Sequence, residues 1–71
     1  MNEKLIISSI IEALNKNGAF DQDDLFKNMQ RLYGDLDRRT FNELVMELEI
    51  QGLVKVYSMA KDKRRIELGR L

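Results

Sequence analysis

The apolar positions of this chain recur with two different periods, and the change from one to the other divides it into elements. From about Asn2 to Lys16, Ile6, Ile7, Ile10, Ile11 and Leu14 return at helical spacing, which predicts a first helix with that stripe in the core. Asn17-Gly18 supplies a helix stop, and Ala19-Phe20 reads as a short extended link able to pair with a later hairpin as a minor strand. Asp21 is placed to cap a second helix, with Phe20 and Leu25 as a hydrophobic staple and Asp23 and Asp24 complementing the positive end of the helix dipole. Leu25, Phe26, Met29 and Leu32 form the buried stripe of that helix, and Gly34 marks its end.

Only Asp35 and Leu36 separate Gly34 from the best-specified stretch of the chain. Asp37 is a preferred N-cap, and Leu36 and Phe41 occupy the two positions of a staple that sets how the chain enters a third helix. At the far end Gly52 can adopt the left-handed conformation, which brings Leu53 back onto Leu48. The period then shortens to two: Leu53–Met59 reads as a strand, Ala60–Lys63 as a basic turn and Arg64–Leu68 as a second strand. The predicted order is helix, short strand, helix, tight turn, helix, strand, strand, an α+β arrangement with a helix-turn-helix followed by a hairpin.

The pattern Phe41-x-x-Leu44-Val45-x-x-Leu48-x-x-x-Gly52-Leu53-Val54, with the tight turn before it and the hairpin after it, resembles the winged helix-turn-helix superfamily. The small transcription-regulator type is the nearest match in kind, and the resemblance covers nearly the whole chain. It carries the fold further than the function, because the same fold also serves as a protein-binding module.

Composition narrows the chemistry. The chain has 71 residues without cysteine or histidine, so disulfides, zinc fingers and histidine-based catalytic or metal centres are excluded. Asp21-x-Asp23-Asp24 lacks the glycine and distant glutamate of a calcium loop, which leaves capping as its role. No nucleophile has a base beside it and no glycine-rich phosphate loop is present, so neither an enzyme nor a cofactor is expected. The concentrated apolar stretch, Leu5–Ile11, is too short to cross a bilayer, which points to an intracellular, cytoplasmic protein with no membrane partner. Without proline or low-complexity sequence, residues 1–71 read as one domain.

Charge gives the functional expectation its location. Residues 1–37 hold four Lys/Arg against seven Asp/Glu, and residues 38–71 hold eight against five, so a neutral chain is split into an acidic and a basic half. With Phe41, Leu44, Val45 and Leu48 turned inward, Arg39, Asn42, Glu43, Met46 and Ile50 lie on the outer side of the third helix. The resemblance implies that this helix enters the major groove of double-stranded DNA, with Arg39 and Asn42 reading bases and Arg38 and Thr40 beside them for phosphates. Lys61, Lys63, Arg64 and Arg65 would then carry the wing onto the phosphate backbone, and a DNA-binding protein of this kind would be nucleoid-associated. Two blander readings stand beside this one: a solvated helix face, and a hairpin whose charges prevent edge-to-edge pairing.

Glu43, Met46 and Ile50 suit a protein partner better than DNA, and make a protein-interaction module the alternative reading. Leu5, off the buried stripe of the first helix, is a further candidate contact. One reading helix touches few bases, so a homodimer is expected; since Leu71 follows closely on the last strand, it would use the first helix or the exposed pair on the third. Tyr33 and Tyr57 read as core rim.

Overall fold

The computed structural model describes residues 2–69. Its elements run α1 (Glu3–Asn17), β1 (Ala19–Asp21), α2 (Gln22–Leu32), α3 (Arg38–Ile50), β2 (Val54–Ala60) and β3 (Lys63–Leu68). This is the α+β order of a winged helix-turn-helix, with the short strand between the first two helices present. Among the described residues no helix is long and apolar enough to cross a membrane.

Local signals act where the sequence places them. The Asn2 side chain accepts from the Leu5 amide, Asp21 accepts from the amides of Asp23 and Asp24, and Asp37 accepts from that of Thr40 at 2.7 Å. Each cap satisfies amide groups that the first helical turn leaves without partners. At the end of α3, Gly52 has φ of 79°. Its amide donates to the Glu49 carbonyl and the Leu53 amide donates to the Leu48 carbonyl, the paired bonds of a Schellman stop. The chain therefore leaves α3 in a fixed direction.

Two expectations need correction. Leu32 is 65% exposed and lies outside the buried stripe of α2, whose buried residues are Leu25, Phe26 and Met29. The helix closes one residue later at Tyr33, whose amide donates to the Met29 carbonyl, so the stop precedes Gly34. Tyr33 packs against the core in Leu32's stead, and its hydroxyl reaches the Leu5 carbonyl and the Ser9 hydroxyl of α1. Tyr57, expected at the core rim, is instead on the exposed face of the sheet, where its hydroxyl donates to Glu67.

The sheet is antiparallel with strand order β1-β3-β2, so β3 is its centre. Phe20, Ile66 and Val56 form one row across the three strands and pack toward the helices; Ile66 is fully buried. A β-bulge between Ser58 and Ala60 breaks the regular pairing of β2 just before the turn, where Asp62 takes a positive φ of 62°. Gly69 crosses back over the end of α3, its amide donating to the Leu53 carbonyl. A Cβ there would run into the Gly52 carbonyl, so close approach of two backbones demands glycine at 69.

Thirteen hydrophobic side chains form the buried core, and no polar or charged residue among those described is buried with them. Phe41 is the bulkiest of the fully buried side chains, and its ring meets Phe26 edge-on at 5.3 Å between centroids. Phe41→Ala removes this contact and leaves a cavity between α2 and α3. It should destabilise the fold by on the order of 3 kcal/mol, read as a lowered midpoint in chemical denaturation. A midpoint equal to the parent's would contradict this packing.

Candidate functional site

The polar side chains of α3 fall into two groups along its length. Arg38 and Arg39 stand at its N-terminal end; Glu43 lies near the middle, Glu47 and Glu49 occupy the C-terminal half, and no basic residue follows in the last turn. A groove of about 310 Å³ runs between the start of α2, the start of α3 and the wing turn, lined by Gln22, Asp23, Arg38, Asn42, Asp62 and Arg64. Asn42 and Arg64 also line the adjoining groove toward Met46 and Val56, so α3 and the wing share one continuous face. Gln22 donates to the Asn42 side-chain oxygen at 3.3 Å, which orients that amide.

Arg38 is not a free cation. Its guanidinium donates to the Asp23 carboxylate at 2.6 Å and lies 4.5 Å from the centre of the Phe26 ring, joining α3 to α2 through an ion pair and a cation–π contact. The Arg38 guanidinium, with Lys27 and Lys63 adding to the field, holds the Asp23 carboxyl below its ordinary range. Asp37 is likewise lowered, by the hydrogen bonds that it accepts from Thr40. Arg39, one position along, is exposed and has no ion-pair partner among the described residues. Thr40 lies on the other flank of the helix, in a groove facing α1 with Glu3, Ile7, Glu43, Leu44 and Glu47.

The four wing cations also separate. Lys61 is in the turn, and Lys63 and Arg64 open β3. Arg65 pairs with Asp21 on one side and Tyr57 on the other, away from the tip, and alternation puts it on the sheet face opposite Arg64. Arg64 shares the helix-facing side with Ile66; Arg65 shares the outer side with Tyr57, Lys55 and Glu67. β1 pairs with β3 only from Arg65 to Glu67, so Lys63 and Arg64 lie where β3 is itself an unpaired edge and their charges also guard that edge, while the edge strand β2 carries Lys55 as its single charge.

Met46 and Ile50 are exposed on the outer side of α3, while Leu5 lies on the flank of α1 that meets Tyr33, away from the α1–α3 groove. The candidate protein contacts thus form two separate patches. Asp23 and Gln22 went unnoticed as members of the site because their partners, Arg38 and Asn42, lie 15 and 20 residues further on. Among the described residues no group of three or more acidic side chains is placed to hold a metal ion, and the Asp21 carboxylate is occupied with capping.

No protein-family model and no curated protein matches the chain. Among solved structures, one concerned with the DNA recognition and protein interaction domains of HOP2 and its homologous DNA pairing superposes with a TM-score of 0.74. It covers 89% of this chain and 97% of that one at 19% sequence identity. At that identity the likeness establishes the winged-helix fold.

The Asp23–Arg38 pair gives a pH signature. A carboxyl lowered in the folded state contributes stability above its unfolded pKa, and that contribution is lost as pH falls through the folded value. Arg38→Gln should raise the Asp23 carboxyl toward the ordinary carboxylate range, observed by carboxyl NMR titration. An unshifted titration would show that the pair does not persist in solution.

Proposed function

We propose that this chain acts by binding, without catalysis, as a sequence-specific double-stranded DNA-binding protein and a regulator of transcription. In this reading the N-terminal half of α3 enters the major groove and the tip of the wing lies on the backbone. The observation that carries it is the shared face of Asn42 and Arg64, with unpaired Arg39 one turn away at the same end of the helix. An arginine suits the acceptor edge of guanine, and an asparagine suits adenine. Lys61 and Arg64 supply the phosphate contacts at the wing tip, while Arg38 holds α2 against α3 and Arg65, with Lys63 by the same alternation, is on the opposite face of the sheet. Two copies on neighbouring half-sites would provide the number of base contacts that one reading helix lacks.

The acidic residues limit how the duplex can approach. Glu47 and Glu49 in the C-terminal half of α3 repel phosphates, whereas Asp23, which borders the groove beside Asn42, has its charge offset by Arg38. The helix must present its N-terminal end first. Docking on a protein in place of DNA is the rival reading, favoured by the exposed Met46 and Ile50.

Titration of labelled duplex at two salt concentrations separates the two. Phosphate contacts make affinity fall steeply with salt, and each lost contact should lower the slope by up to about 0.9. Arg64→Gln should reduce both affinity and slope for every duplex alike, and Arg65→Gln should change them less. A salt-independent affinity, or equal effects of the two substitutions, contradicts the proposed wing contact.

Base reading is tested by selection from random duplexes. Arg39→Ala and Asn42→Ala should each relax preference at one position by about 1–3 kcal/mol while leaving the fold intact. Unchanged preference would remove both residues from the reading role.

A further inference from the structure

We infer that the C-terminal half of α3, together with the groove between α1 and α3, is a second docking surface, and that its partner is a basic amphipathic helix of another protein. At its centre are Met46 and Ile50, 60% and 75% exposed and one helical turn apart. Beside them runs the groove of about 490 Å³ whose floor includes Ile7 and Leu44 and whose rim carries Glu3, Glu43 and Glu47. Glu49 closes the opposite flank, toward the wing. An apolar strip is thus ringed by four carboxylates, and the ion pair among the described residues lies at the other end of the helix.

The arrangement is unfavourable for the free domain. Glu43 and Glu47 are spaced i, i+4, where like charges repel, and Glu47 and Glu49 sit near the negative end of the helix dipole with no basic residue in that turn. Lysine or arginine side chains from outside would relieve both effects. The groove between two helices accepts a third helix through apolar anchors one turn apart, and the carboxylate rim requires that its flanks be basic.

A second copy of this chain does not meet that requirement. Its α3 would bring carboxylates onto carboxylates, the outer face of its sheet balances Lys55 and Arg65 against Asp21 and Glu67, and its basic wing tip is a hairpin without apolar anchors one helical turn apart. Ile50 lies about 16 Å along α3 from Arg39, whereas Met46 borders the groove that Asn42 and Arg64 line, so the two surfaces adjoin at Met46 and Ile50 is the anchor that stands clear of the DNA face. The inference does not depend on DNA binding.

The test uses a fluorescein-labelled synthetic helix of leucine, lysine and alanine in amphipathic order, its scrambled isomer, and a twin with glutamate for lysine. Fluorescence anisotropy with the full chain should show the amphipathic helix binding at least about tenfold more tightly than either control. Ile50→Glu and Met46→Glu should each weaken it by about tenfold or more with unchanged thermal melting, since both side chains are exposed. Glu43→Gln with Glu47→Gln should weaken it less and flatten its salt dependence. The inference is overturned if the helix does not bind, if the scrambled isomer binds equally, or if Ile50→Glu retains the helix. Concentration-dependent self-association abolished by Ile50→Glu would assign the surface to a second copy and overturn it too. Duplex affinity of Ile50→Glu reports on the DNA reading separately, because Ile50 lies outside the DNA face.

Discussion

The contact between Phe26 and Phe41 is the constraint on which the rest of this small domain depends. Phe41 stands in the first turn of α3, so its burial against α2 fixes the end of the helix where Arg39 and Asn42 emerge. Arg38 covers the same Phe26 ring and reaches Asp23, which adds a polar tie to the apolar one. An exposed ion pair of this kind contributes little by itself, so the ring packing sets the geometry and the ion pair refines it. Residues that would touch a ligand are therefore held by a core that the ligand never reaches.

A formal charge of zero conceals a molecule with strong local charge. Along α3 the sign reverses within three turns, from Arg38 and Arg39 to Glu43, Glu47 and Glu49. At the separation of the two ends, screening in physiological salt leaves each to act on its own surroundings. The two ends of one rigid helix therefore present opposite chemistries, which adjoin at Met46.

The fold alone does not choose between DNA and a protein partner, since winged helices serve both. The choice rests on what lines each surface: a free arginine and an oriented amide at one end, and an apolar pair inside a carboxylate rim at the other.

The sequence by itself determined where the helices start and stop. Asp21, Asp37 and the Gly52-Leu53 pair act on groups two to five residues away, and such contacts form whatever the rest of the chain does. Period-two alternation likewise made the hairpin legible, and helical spacing the inward set Phe41, Leu44, Val45 and Leu48. Only the tertiary structure decided which of these residues remain available. The pairing of Arg38 with Asp23, the displacement of Leu32 by Tyr33, and the choice of which face of the hairpin packs on the helices all depend on elements distant in sequence. So does the meeting of Glu3 with Glu43 and Glu47. Caps and stops are satisfied by chain connectivity, whereas the pairing of a surface charge is set by which helix or strand the core packing brings beside it.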